Sequence, residues 1–271
     1  MGITEFGIIS VSQARDLILA DSSVFSKKKQ INEIYDILPD AKSIIVYLLP
    51  YNHGKTPKNL SLYATGADYH KVCQKISSNI CNVLSESGYD SVSFADNGPL
   101  NERKLAYRAG LGIIGLNRFL INKKYGTYTF IGYIITTADL SSSNPIKGEC
   151  QKCNKCILSC PGKALTKNGF DENKCISYLT QKKGELSQEE IMLIKKGKSA
   201  WGCDICQNVC PENSICAKTQ LPEFNNNLIL CIKNEYLSNN EYKKKYSDRA
   251  FSWRGKAVID RNLSIIDYKD N

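Results

Sequence analysis

The first 140 residues alternate between continuous apolar runs, which indicate buried strands, and apolar positions at helical spacing. The run 43–49 and the aromatic and β-branched run 125–137 predict strands, and 90–94 predicts a shorter one. Residues 66–88 carry apolar side chains on one helical face and end at Gly88, which predicts an amphipathic helix. Asn101 is a predicted N-cap for a helix over 101–112, and 10–20 is also predicted to be helical.

After a linker at 138–148, the pattern becomes shorter and more irregular. Helices are predicted around 173–183 and 187–197, the second with Ser187 and Glu190 as a capping box. Residues 217–271 are mostly polar, with one weak helix. The chain is therefore predicted to be α+β in three units: an α/β unit over 1–140, a cysteine-rich unit over 141–216, and a short helical C-terminal tail over 217–271 that packs on the core.

Charge and hydropathy limit the kinds of partner that the chain is expected to have. Lysine and arginine total 36 against 27 acidic residues, a net charge of +9. This excess favours a polyanion such as a nucleic acid, but a solvated basic surface explains it equally well. The longest apolar stretch, 43–51, is far shorter than a membrane span, and no export signal opens the chain. A soluble cytoplasmic protein without a membrane partner is expected.

Twelve cysteines in such a chain point to metal or redox chemistry, because cytosolic thiols are kept reduced. Residues 150–161 have the spacing C-x2-C-x2-C-x3-C-P, and 203–211 have C-x2-C-x3-C-P. The first spacing is the bacterial ferredoxin signature of a [4Fe–4S] cluster, in which the fourth cysteine ligates the other cluster of a pair. Structural zinc, which also uses CxxC pairs, is the alternative.

Eight of these cysteines complete two clusters. Cluster 1 is predicted to take Cys150, Cys153, Cys156 and Cys210, and cluster 2 to take Cys160, Cys175, Cys203 and Cys206. Cys175 replaces the first cysteine that the second block lacks. Cys73 and Cys81 lie in the predicted helix over 66–88, and they, with Cys216 and Cys231, are not expected to be ligands.

The segment 94–117 concentrates glycine, charged and amide residues, which are typical of binding sites. Its GLGIIG matches G-x-G-x-x-G, but it follows a predicted helix rather than a strand, and no acidic residue lies about 20 positions later. Nicotinamide dinucleotide binding is therefore not favoured. The glycines are instead expected to let the backbone approach a bulky ligand closely.

The segments DNGPLNERKLAYRAGLGIIGLNRFLINKKYGTYTFIGYIIT, CQKCNKCILSCP, CISYLTQKKG and GCDICQNVCP together resemble the epoxyqueuosine reductase family. The resemblance implies a mixed α/β cobalamin-binding unit followed by a ferredoxin-like double [4Fe–4S] domain, acting on queuosine-family tRNA. It implies that Asp96 is the proton donor and that base-off cobalamin contacts the following residues: Asp96, Arg103, Asn117, Leu120, Ile131 and Ser177. Lys183 would lie nearest the tRNA, and the C-terminal helical repeats of longer members would be absent.

Asp96 can protonate a substrate near neutral pH only if burial raises its pKa, and ADNG is also an ordinary turn sequence. Two other functions stay open. One is a cobalamin and iron–sulfur reductase of a small molecule, similar to a dehalogenase, and the other is a non-catalytic electron carrier. For the tRNA-modifying reductase, an external low-potential electron donor and a monomeric chain are expected.

Overall fold

The computed structural model describes residues 3, 5–17, 34–96 and 98–267. The strands are β1 (Glu5–Ser10), β2 (Ser43–Pro50), β3 (Ser91–Ala95), the short pair β4 (Ile113–Ile114) and β5 (Leu120–Ile121), and β6 (Thr129–Thr136). An antiparallel four-stranded sheet in the order β1-β2-β6-β3 organises the first half of the chain. The predicted strands at 43–49, 90–94 and 125–137 are confirmed as β2, β3 and β6, although β6 begins only at Thr129.

Two helices pack on this sheet. The first, α1 (Tyr69–Glu86), begins where the Asp68 side chain accepts a hydrogen bond from the His70 backbone N–H. The second, α2 (Glu102–Arg108), begins where Asn101 accepts one from Lys104, as the sequence predicts. The predicted helix over 10–20 is a 3₁₀ helix at Val11–Leu17, and 18–20 lie outside the described residues.

Four helices belong to the cysteine-rich segment: α3 (Lys155–Leu158), α4 (Ile176–Leu179), α5 (Gln188–Gly197) and α6 (Ile205–Asn208). The capping box of Ser187 and Glu190 on α5 is confirmed. Helix α4 is shorter than predicted. In the following residue, Thr180, the carbonyl accepts a hydrogen bond from Asn262 Nδ2 at 2.7 Å and the hydroxyl oxygen accepts one from the Gly202 N–H at 2.9 Å, so tertiary contacts replace a further helical turn.

The C-terminal segment is more helical than its polar composition predicts, with α7 (Pro222–Asn225), α8 (Asn239–Tyr246) and α9 (Lys256–Ile265). The reason is tertiary burial. Tyr242, Tyr246 and Phe251 bury their rings with Trp201, and Leu60 of the first half joins the same apolar cluster. Because this cluster crosses 140 and 216, the three predicted units share a core, and their division stays a prediction. No helix in the described ranges has the length and hydropathy needed to cross a membrane.

Candidate active site

A cavity of about 780 Å³ opens where the sheet meets the cysteine-rich segment. Tyr51 after β2, Phe130 in β6 and Tyr69 at the start of α1 form its aromatic wall. The Tyr69 and Phe130 rings stack with their centroids 4.3 Å apart. The volume lies in the upper part of the range for small-molecule and cofactor sites.

All six residues that the resemblance assigns to cobalamin line this one cavity: Asp96, Arg103, Asn117, Leu120, Ile131 and Ser177. They come from five separate segments, so the fold and not the local sequence brings them together. Lys183 does not line it. It is exposed in the turn after α4, where Arg261 donates hydrogen bonds to the Lys182 and Gly184 carbonyls at 2.8 and 2.9 Å.

The cysteines divide between two cavities in the grouping that the sequence predicts. The large cavity is lined by Cys160, Cys175, Cys203 and Cys206. A second, small cavity of about 20 Å³ is lined by Cys150, Cys153, Cys156 and Cys210. Asn117 lines both cavities, which places the two cysteine groups side by side. The assignment of individual ligands to iron stays a prediction.

The GLGIIG glycines act differently from the expectation. None of the three lines the large cavity. A Cβ on Gly112 would overlap the Ile121 carbonyl, and one on Gly115 would overlap the Asn117 side chain. A Cβ on Gly110 would overlap the Asn144 carbonyl. The close approach that the three glycines permit is therefore to the chain itself, so the expectation of a direct ligand approach is wrong. Gly115 leaves room for the Asn117 side chain, which lines both cavities.

Asp204, between two predicted cluster ligands, joins the cysteine-rich segment to the α/β half. Its carboxylate accepts hydrogen bonds from the Ser61 hydroxyl and, at 2.6 Å, from the Leu62 backbone N–H. Gln207 in the following helix accepts from Tyr51 at 3.2 Å and from Thr127 at 2.9 Å. These bonds hold the second cysteine block against the cavity wall.

Asp96 follows β3 with φ of 64°, a left-handed conformation that an aspartate adopts more readily than most residues. Its Oδ2 accepts a hydrogen bond from the Tyr69 hydroxyl at 2.6 Å and lies 3.2 Å from His70 Nε2. The other ring nitrogen of His70 is 2.8 Å from Asp68. One histidine therefore bridges two carboxylates at the edge of the cavity.

The condition that the sequence set for Asp96, a pKa raised by burial, is not met. Desolvation favours the neutral acid, but the hydrogen bonds from His70 and Tyr69 outweigh it, and the pKa of Asp96 is lowered. Burial likewise lowers the pKa of His70, but its bonds to Asp68 and Asp96 raise it to about 9. At neutral pH this pair therefore holds its proton on the imidazole.

Glu102 is the residue that sequence reasoning missed. Its carboxyl lines the same cavity, and burial, followed by the charge of Asp96, raises its pKa to about 8. The first turn of α2 is the ordinary place for an ionised glutamate, so its position in the sequence gave no signal. Sequence reasoning also missed His70 and Tyr69, which lie on the predicted helix over 66–88 and not in the segment around Asp96.

The lining suits a large polar cofactor. Outside the acidic residues, three buried polar atoms at the cavity have no hydrogen-bond partner: Asn117 Nδ2, Arg118 Nε and Thr129 Oγ1. Buried polar atoms normally have partners, so unpaired ones around a single cavity indicate a ligand that supplies them. Cobalamin, whose corrin rim carries amide groups, offers both donors and acceptors to such atoms.

The Asp68–His70–Asp96 bridge predicts a pH-dependent stability. The pKa of His70 rises from 6.5 in the unfolded chain to about 9, so its stabilising effect is complete below pH 6.5 and lost as pH rises through 9. We expect His70→Gln to lower the melting temperature at pH 6.5 and to change it little at pH 10. Thermal melts of both proteins across this range check the prediction, and an equal loss at both pH values would contradict it.

Two family models match the chain. Residues 149–213 match the 4Fe–4S double cluster binding domain, and residues 32–96 match the model described as epoxyqueuosine reductase QueG, DUF1730. The first match covers all eight predicted cluster ligands and supports iron–sulfur clusters over zinc.

Comparisons over most of the chain agree with these two family matches. The chain is 34% identical to the epoxyqueuosine reductase of Bacillus cereus over 255 residues, covering 86% of this chain and 66% of that protein. It is 36% identical to that of Synechocystis, covering 76% and 74%. A crystal structure of epoxyqueuosine reductase with an epoxyqueuosine-modified tRNA-Tyr stem loop matches with a TM-score of 0.84 at 29% identity, covering 98% of this chain and 77% of that one. The chain thus spans about two thirds of the Bacillus cereus relative's length.

Proposed function

Because the chain belongs to the epoxyqueuosine reductase family, we propose that it reduces epoxyqueuosine to queuosine in tRNA, using two [4Fe–4S] clusters and base-off cobalamin. One observation carries the proposal: the four predicted ligands of cluster 2 and the predicted proton donor Asp96 line the same cavity. An electron source and a proton source thus face one enclosed volume, which an electron carrier alone does not require.

Electrons would enter at cluster 1 and leave from cluster 2. Cys153 of the first group is exposed, whereas the cluster 2 cysteines are partly buried and face the cavity. When bound, cobalamin supplies a cobalt centre that a low-potential cluster can reduce. The side chains of Asn117, Arg118 and Thr129 have the free polar atoms to hold it.

Protons would come from the Asp96 side of the cavity. Asp96 would give a proton to the leaving epoxide oxygen as a general acid. Because the pKa of Asp96 is lowered and that of His70 is raised, the proton would rest on His70 between turnovers and reach Asp96 across their 3.2 Å contact. The Tyr69 hydroxyl would orient the carboxylate.

The rim of the cavity is suited to a nucleic acid. Three exposed aromatic side chains, Phe170, Tyr178 and Trp253, line it, and aromatic rings can stack with bases. The Arg254 guanidinium lies over the Trp253 ring and adds a positive charge at this rim. The net charge of +9 favours the same partner. The similar enzyme that was crystallised with a modified tRNA stem loop supports this docking.

The test is anaerobic reconstitution with iron, sulfide and cobalamin, followed by an epoxyqueuosine stem loop and a strong reductant. Conversion to queuosine, read by nucleoside mass spectrometry, is the expected result. Cobalamin uptake without conversion, together with turnover of a halogenated small molecule, would favour the dehalogenase-like alternative. Cluster assembly without cobalamin uptake would favour the electron carrier.

Binding of tRNA is expected to weaken steeply with salt, since basic side chains displace counterions from phosphates. We expect Lys183→Ala to weaken stem-loop binding and to reduce the salt slope by about one. Lys42→Ala is the matched control, because this exposed lysine precedes β2 at the end of the sheet away from the cavity. Fluorescence anisotropy over a salt series measures both. Equal slopes for the two variants would remove Lys183 from the interface.

A further inference from the structure

Removing an epoxide oxygen requires more protons than Asp96 and His70 hold. Under the proposed function, both C–O bonds break, a C=C bond forms, and the oxygen leaves as water. The balanced reaction consumes two electrons and two protons. The clusters, recharged by the external low-potential donor, supply the electrons one at a time.

The Asp68–His70–Asp96 bridge stores one of these protons. Both carboxyl pKa values are lowered, and only the imidazole is protonated at neutral pH. Tyr69 cannot supply the other proton, because burial and the charge of Asp96 raise its pKa well above its usual value. The Asp96 and His70 side chains are partly exposed, so a second proton store beside the same cavity matters once bound substrate covers them.

Glu102 is placed to hold the second proton. Its Oε1 is buried without a hydrogen-bond partner, in a cavity that Asp96 also lines. An ionised carboxylate would leave a charged oxygen there without a donor, which is costly, whereas a neutral acid avoids that cost. The Asp96 backbone N–H bonds to the same carboxyl, which places the Glu102 carboxyl beside residue 96, and the charge of Asp96 acts on it.

We propose that Glu102 stores the second proton of epoxide reduction and returns it to Asp96 after Asp96 has protonated the substrate. In the first step, Asp96 gives up the proton that His70 supplies. In the second step, Asp96 takes the proton from Glu102 and passes it to the oxygen, which leaves as water. Glu102 thus acts through Asp96 and need not touch the substrate.

The charged and titratable groups around Glu102 are consistent with this role. The charge of Asp96 raises its pKa, while Arg103 and His70 lower it. Its remaining titratable neighbours are neutral at pH 7: Tyr47, Tyr69, Cys73 and Tyr133, whose pKa values burial raises. The net result is a pKa of about 8, which keeps Glu102 protonated at neutral pH and able to release its proton.

Infrared titration of the protein without substrate tests the store directly. Glutamate carrying a ¹³C-labelled carboxyl group separates its C=O band from that of aspartic acids, such as the buried Asp204. We expect a protonated Glu band at pH 7 that disappears near pH 8 and is absent in Glu102→Gln. A band that Glu102→Gln leaves unchanged would overturn the proposal.

Single-turnover conversion across pH 6–10 tests the use of that proton. Glu102→Gln preserves the neutral charge and shape at pH 7, so folding, iron content and cobalamin uptake are expected to be unchanged. We expect its rate at pH 7 to fall roughly tenfold or more, with loss of the decline near pH 8, and Glu102→Asp to recover part of the rate. A native rate and pH profile in Glu102→Gln would overturn the proposal. If the wild-type protein converts no epoxyqueuosine, the proposed function fails, whereas the infrared band decides separately whether Glu102 holds a proton.

Discussion

Asp96→Asn is expected to lower the single-turnover rate of epoxyqueuosine conversion by about 10²–10⁴-fold, the range for loss of a general acid. The amide can still accept the hydrogen bond from Tyr69, so the cavity keeps its shape. It cannot pass a proton from His70 to the substrate, and His70 loses one of the two carboxylates that raise its pKa. Conversion is followed by mass spectrometry of the nucleoside.

Asp139→Asn is the matched control for this substitution. Asp139 is exposed beyond the end of β6 at Thr136, whereas the start of β6 lines the cavity. Its variant is expected to convert substrate at the native rate, and both variants to retain iron and cobalamin. A native rate in Asp96→Asn would exclude the proposed general acid, whatever the control does.

Cys175→Ser has the second large expected effect. With two clusters of four irons, the intact chain holds eight, and this variant is expected to hold four because only cluster 2 loses a ligand. Conversion should be abolished, since Cys175 lines the cavity and its cluster is the last carrier before the reaction. Iron and sulfide analysis with electron paramagnetic resonance measures the loss.

Two further variants show whether the ligand sets are right. Cys153→Ser is expected to remove cluster 1 and leave the signal of cluster 2. Cys81→Ser, in α1 and in the lining of neither cavity, should keep all eight irons. An iron content that Cys175→Ser does not change would show that the second ligand set is wrong, and circular dichroism separates specific loss from unfolding.

Local patterns were sufficient for the most strongly patterned elements. The apolar run 43–49 forms β2 because strands buried on both faces need continuous apolar side chains, and Ser187 caps α5 because its hydroxyl reaches the N–H of Glu190. The same patterns were insufficient for the C-terminal segment. Tyr242 and Tyr246 lie in a highly polar helix whose stability comes from packing around Trp201, at a large distance in the sequence.

The protonation states at the cavity show more clearly what local sequence patterns cannot predict. From the sequence, Asp96 required a pKa raised by burial to act near neutral pH. No local pattern predicts that His70 and Tyr69 lie against it and lower that pKa. The raised pKa belongs to Glu102, only six positions further along the chain. Which of two nearby carboxyls stays protonated depends on hydrogen bonds that cross between α1, β3 and α2.

By itself, the amino-acid sequence determined the family, the α+β class and the spacing of the eight cluster cysteines, because ligand spacing and apolar periodicity are properties of short segments. Only the tertiary structure decided that four of those cysteines share a cavity with Asp96, and which acidic group there carries a proton. A pKa depends on desolvation and on charges a few ångströms away, and those distances exist only once the chain has folded.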